Sequence, residues 1–193
     1  MPETFRTFIA VKLDAHIQTQ LQKIQAILKK IDSNVKWVEP KNIHLTLKFL
    51  GEIPMETINK LTVILPPVCM ATLKFSIALV SLGAFPGLEY PRVIWIGIDS
   101  GQNELKNLAA RMDTALNELG FKKESRPFDP HITLGRLRSS RHKAALINAV
   151  KNAPGSSPLT QTVENIYLFK STLTPVGPIY EILKKFPLGK QQG

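Results

Sequence analysis

Two histidines recur in the same four-residue setting, His44-Leu45-Thr46-Leu47 and His131-Ile132-Thr133-Leu134, 87 residues apart. Residues two apart on a β-strand share a face, so each word puts an imidazole and a hydroxyl on one side and aliphatic side chains on the other. An imidazole with an ordinary pKa near ~6.5 gives or takes a proton at neutral pH. A hydroxyl beside it donates to an oxygen on which negative charge builds. Two such pairs in one cleft suit in-line displacement at phosphorus, which needs a base on the attacking side and an acid on the leaving side. The residues alone leave open which histidine is which. A zinc site lacks supporting ligands: there is no HExxH and no cysteine pair, and the nearby Asp129 reads as a turn residue in Phe128-Asp129-Pro130. A serine triad lacks its GxSxG elbow. His16 and His142 stand outside the repeated words and read as ordinary polar side chains.

The elements that must position these words recur as well. Phe8-Ile9-Ala10-Val11 and Ile94-Trp95-Ile96-Gly97-Ile98 read as buried strands, ending at Asp14 and Asp99. A helix follows each, with apolar stripes at Ile17, Leu21, Ile24, Leu28 and Ile31, and at Leu105, Leu108, Met112, Leu116 and Leu119 before Gly120. Asp14 and Ser100 are the expected N-caps. Pro40 and Pro127 each precede a histidine by four residues, and Pro67 and Pro154 are expected to close short helical segments that start near Thr57 and Lys143. Further strands are expected at Lys74 to Val80, Val163 to Phe169 and Ile179 to Phe186, around loops at Phe85-Pro86-Gly87 and Thr174-Pro175-Val176-Gly177-Pro178. The strand after the first loop opens the second copy, so the two units interleave. The expected architecture is α+β: a bilobal pseudo-twofold duplication with two antiparallel sheets lining a central groove and helices outside. Residues 1–193 are expected to be a single domain of two interleaved lobes, with a frayed tail at Gly189 to Gly193.

Composition narrows the partner class. With 193 residues, 44% of them hydrophobic, the chain buries a substantial core, which excludes disorder. A formal charge of +10 draws polyanions, making nucleic acid or a phosphorylated substrate the leading partner. The lone Cys69 cannot form an internal disulfide and reads as buried packing. No apolar run approaches the ~20 residues that cross a bilayer. A cytoplasmic monomer that does not engage membranes is expected.

Beyond the two words, Lys48-Phe49-Leu50-Gly51, Gly135-Arg136, the opening Phe8-Ile9-Ala10, Arg92-Val93-Ile94-Trp95 and Ser171-Thr172-Leu173-Thr174-Pro175 carry a resemblance across nearly the whole chain. It resembles the two-histidine phosphoesterase superfamily, defined by paired HxTx motifs, and within it the LigT-like RNA 2′,3′-cyclic phosphodiesterases. The resemblance implies hydrolysis of an RNA 2′,3′-cyclic phosphate, or of a small cyclic nucleotide, to a 2′-phosphomonoester without metal or other cofactor. It implies His44 as proton donor and His131 as proton acceptor, with Thr46 and Thr133 binding the phosphate. The same chemistry run backwards is a 2′-5′ RNA ligation. The alternative is a non-catalytic nucleotide- or RNA-binding module using the same groove.

Alternation puts Lys48 on the face of His44 and Thr46, a phosphate-binding position. Arg136 falls out of phase with His131 and Thr133 unless Gly135 forms a bulge that returns it to the groove. Arg138, Arg141, Lys143, Lys122, Lys123 and Arg126 are candidates for steering RNA.

Overall fold

The computed structural model describes residues 3–152 and 158–190. The first lobe's sheet holds β1 (Thr4–Lys12), β3 (His44–Pro54), β8 (Asn165–Thr174) and β9 (Gly177–Pro187) in the order β3-β1-β8-β9. The second holds β2 (Val35–Trp37), β4 (Phe75–Phe85), β5 (Val93–Ile98), β6 (His131–Leu137) and β7 (Leu159–Val163) in the order β2-β6-β5-β4-β7. Strand neighbours in both sheets are antiparallel. β3 and β6 pass beside each other, with Cα atoms within 8 Å, and this seam brings the two repeated words together.

Among the described residues four α-helices, α1 (Ala15–Lys29), α2 (Met55–Met70), α3 (Gln102–Glu118) and α4 (Lys143–Lys151), lie against the outer faces. Their buried stripes, Ile17 and Leu21 on α1, Leu61 and Leu65 on α2, Leu105 and Met112 on α3, join Ile9, Leu45, Leu47, Ile96, Ile132 and Leu134 in one core. A smaller core under α4 joins Leu146 and Val150 to Leu28 and Ile94. α3 ends as expected at Gly120: the Gly120 N–H bonds the Asn117 carbonyl and the Phe121 N–H that of Leu116, with Gly120 at φ 86°. This is a Schellman close, and it fixes the direction in which the next loop leaves.

Several boundaries depart from the sequence reading. The cap position of α3 falls on Gly101 in the left-handed region, one residue past Ser100, and Asp14 occupies the α1 cap position without a side-chain hydrogen bond. α2 carries Pro66 and Pro67 near its C-terminal end and runs three residues past Pro67, to Met70. Val163 to Phe169 divides into the end of β7 and the start of β8, and the short β2 has no periodic signal at all. Gly189 is pinned: its N–H bonds the Thr72 carbonyl and its own carbonyl accepts from Lys74. Pro154 and residues 191–193 lie outside the described residues.

Candidate active site

Each histidine is set by its own backbone. His44 Nδ1 lies 2.7 Å from the Asn42 carbonyl, and His131 Nδ1 lies 2.8 Å from the Asp129 carbonyl. A carbonyl only accepts, so each ring carries its proton on Nδ1 and presents Nε2 to the groove. The holding residues are 87 apart, as the histidines are. Asp129 thus contributes a main-chain oxygen to the site. Its turn-residue reading left that role unseen.

Aromatic walls back both rings. Phe8 stacks on His44 with centroids 4.7 Å apart, and Tyr180 meets it edge-on at 5.3 Å. Phe85 meets His131 edge-on at 4.8 Å, with Trp95 behind at 6.5 Å. Burial under this wall pulls the His44 pKa below the ordinary histidine value, against the opposing pull of the Asn42 hydrogen bond. Burial also raises the Tyr180 pKa, and the charges of Arg6 and Arg136 oppose that rise. Tyr180 belongs to one sheet and Arg136 to the other, so the two faces look into a shared space.

Both motif strands break register at the same place. Opposite β1, Thr46 pairs with Ala10 and Lys48 with Ile9, so Leu47 is an extra residue. Opposite β5, Thr133 pairs with Trp95 and Gly135 with Ile94, so Leu134 is the extra residue. Each bulge flips the alternation beyond it. Arg136 therefore lands on the face of His131 and Thr133 and is exposed, as the bulge hypothesis requires. Phe49, which strict alternation puts on the aliphatic face, lands beside Phe8 on the groove face, 63% exposed.

Lys48 is corrected by the same bulge. It shares the face of Ile9, away from His44, and is 7% exposed, with its Nζ 2.5 Å from Asp113 Oδ1, 2.8 Å from Glu124 Oε1 and 2.9 Å from the Lys122 carbonyl. Burial pulls its pKa down, but the hydrogen bonds and charges of Asp113 and Glu124 outweigh that and leave it raised.

Gly135 is a glycine for space. A Cβ there would stand 2.6 Å from Val35 Cγ1 and 2.9 Å from Trp37 Cε3. The carbonyl of the bulged Leu134 accepts from the Val38 N–H and from Gln25 Nε2, which also donates to the Val38 carbonyl. Gln25 is a polar interruption of the α1 stripe, and only the structure reveals what it reaches.

Elsewhere, His16 Nε2 lies 3.1 Å from the Thr160 carbonyl and His142 Nδ1 2.8 Å from that of Asp32, which accounts for both as structural side chains. Cys69 is buried, its thiol pushed up to about 12 by desolvation. Arg141 pairs with Asp32, and Lys143 donates to the Glu89 carbonyl while lying over the Tyr90 ring. Lys122, Lys123, Arg126 and Arg138 are exposed. Among the described residues no group of three or more His, Cys, Asp or Glu could hold a metal ion, and no helix is long and apolar enough to cross a membrane.

A family model described as LigT like Phosphoesterase matches twice, over residues 11–95 and 96–180, one match for each histidine word. The RNA 2′,3′-cyclic phosphodiesterase of Archaeoglobus fulgidus is 37% identical over 94% of this chain and 99% of its own length. That of Methanothermobacter thermautotrophicus is 33% identical over 95% and 98%. Among solved structures, a Thermus thermophilus protein superposes with a TM-score of 0.78 at 29% identity, covering 97% of this chain and all of that one. Escherichia coli LigT complexed with 3′-AMP gives 0.74 at 27% identity over 96% and 99%. With both halves matched and these relatives aligned over nearly their full length, the chain belongs to the LigT-like phosphoesterase family.

Proposed function

We propose that this protein is an RNA 2′,3′-cyclic phosphodiesterase, with residues 1–193 acting as one domain of two interleaved lobes. The observation that carries the reading is the paired Nδ1 anchoring, which leaves two Nε2 atoms for substrate, one from each lobe. The named activity of the Archaeoglobus and Methanothermobacter relatives supports the choice of substrate. Strands from both halves of the chain in each sheet support the single domain.

In this mechanism His131 Nε2 takes a proton from water as the water oxygen bonds to phosphorus. The P–O3′ bond breaks, and His44 Nε2 gives its proton to the departing 3′ oxygen. A 2′-phosphomonoester and a free 3′-hydroxyl result, and proton exchange with solvent resets both rings. Thr46 and Thr133 donate hydroxyl hydrogen bonds to the non-bridging oxygens, and the planar guanidinium of Arg136 offsets their charge. Phe49 offers an exposed face on which a nucleobase can stack. Lys48 has no part in binding phosphate, being turned away and saturated.

The test is an oligonucleotide ending in a 2′,3′-cyclic phosphate, incubated with the protein and EDTA. A 2′-phosphate product is expected. No product at all supports the non-catalytic binding module, loss of turnover on adding EDTA points to a metal, and a 3′-phosphate product reverses the roles of the two histidines.

A further inference from the structure

Where β3 meets α3 and the segment after it lies a polar group that the reaction above does not use. The Lys48 ammonium has three N–H donors and three acceptors within 2.9 Å: the Asp113 carboxylate on α3, the Glu124 carboxylate and the Lys122 carbonyl. The other Asp113 oxygen accepts the Glu124 N–H at 3.0 Å. Asp113 is itself mostly buried, its side chain 19% exposed, so the pair is held in surroundings where a misplaced charge is costly.

What this group ties together follows from the chain. Lys48 lies two residues past Thr46 on the strand that begins with His44. Lys122 and Glu124 lie in the irregular segment 121–130 that joins α3 to His131, and this segment supplies the Asp129 carbonyl that holds His131. The Schellman close fixes the segment's first residue, and the Lys48 cluster holds Lys122 and Glu124 after it. The cluster is thus a direct polar link between the strand of one histidine and the loop that delivers the other.

We propose that Lys48 is a positioning residue: its ammonium clamps the 121–124 segment to α3 and β3 and so sets where His131 stands relative to His44. This rests on the functional reading above and assigns Lys48 a role without substrate contact. Two imidazoles working on opposite sides of one phosphorus tolerate little displacement, and an error near 1 Å costs about 100-fold in rate.

The test compares Lys48→Met, Lys48→Arg and Glu124→Gln with the parent chain, using adenosine 2′,3′-cyclic monophosphate as substrate. Lys48→Met is expected to lower kcat by roughly 10- to 100-fold with KM within about threefold, and Lys48→Arg to recover part of the loss. Glu124→Gln, on a side chain 61% exposed, is expected to fold normally and lower kcat in the same direction by a smaller factor. Should Lys48→Met not fold, Glu124→Gln decides, and an unchanged kcat there overturns the proposal. A raised KM at unchanged kcat in Lys48→Met also overturns it, by making Lys48 a phosphate ligand. Lowered thermal stability with unchanged kcat and KM leaves only a structural role and overturns it equally. Amide exchange needs no substrate. Faster exchange across 121–130 in Lys48→Met, with a displaced His131 ring proton resonance, is expected even if the parent chain opens no cyclic phosphate, an outcome that would overturn the functional reading alone. Unchanged exchange and resonance would overturn the clamp.

Discussion

At the scale of single residues, the two histidines share one anchoring device but differ in burial. On the proposed roles, replacing either by alanine removes an acid or a base, and each change is expected to cost roughly 10²–10⁴ in kcat while thermal unfolding stays cooperative. The lowered pKa of His44 gives the pH profile a sign. In the proposed role of general acid it must be protonated in the free enzyme, so kcat/KM should fall as pH rises through a value below ~6.5. Phe8→Leu thins the wall over His44, and the descending limb should then move to higher pH; an unmoved limb would assign it to another group. The same depression affects stability. Below ~6.5 the unfolded chain binds a proton at this position more readily than the folded one, so acidification costs the native state stability through that window. Both histidines and both threonines are legible in the sequence because their types repeat. Their anchors, Asn42 and Asp129, are not, because a main-chain oxygen leaves no mark on residue identity.

At the scale of elements, the paired bulges decide which side chains reach the groove. A regular strand would have sent Lys48 to the site and Arg136 and Phe49 away, and the extra residues Leu47 and Leu134 reverse all three. Alternation read from sequence assumes an unbroken ladder, so Lys48 was misplaced by its own pattern, whereas Gly135 hinted at the break in β6. At the second bulge Gln25 and the Val38 N–H share the Leu134 carbonyl. Gln25→Leu takes the donor from the Val38 carbonyl and leaves the Leu134 carbonyl on the Val38 N–H alone, and should cost about 1–3 kcal/mol, visible as a lower urea midpoint. Gly135→Ala forces a methyl against Val35 and Trp37 and should cost a similar ~1–3 kcal/mol by overpacking. Because it also disturbs the aim of Arg136, its activity loss should exceed that of Gln25→Leu under conditions where both remain folded.

At the scale of the whole molecule, the +10 charge resolves into engaged and available groups. Arg141 and Lys143 are committed to the fold, whereas Lys122 and Lys123 line a cavity of about 380 Å³ beside Phe49 and Phe121. On the proposed reading, an RNA strand leaving the groove over Phe49 would meet them. Lys122→Ala/Lys123→Ala should weaken binding of a cyclic-phosphate oligonucleotide and flatten its salt dependence, by about 0.7 in log-log slope for each phosphate no longer neutralised, while leaving a mononucleotide substrate unaffected. The duplicated α+β plan is legible from the 87-residue echo. The sharing of strands is less so, since β2 is too short for a pattern and the β7/β8 break shows no punctuation.

That sharing has a consequence for how the enzyme comes into being. β1 pairs with β8, placing Phe8 opposite Phe169, about 160 residues later in synthesis, and Tyr180 arrives later still. A nascent chain that has emerged only as far as β6 already carries both histidine words, yet its first lobe has an open edge at β1 and no finished wall over His44. A truncated product ending at β6 is therefore expected to keep both histidine words and still be an incomplete enzyme.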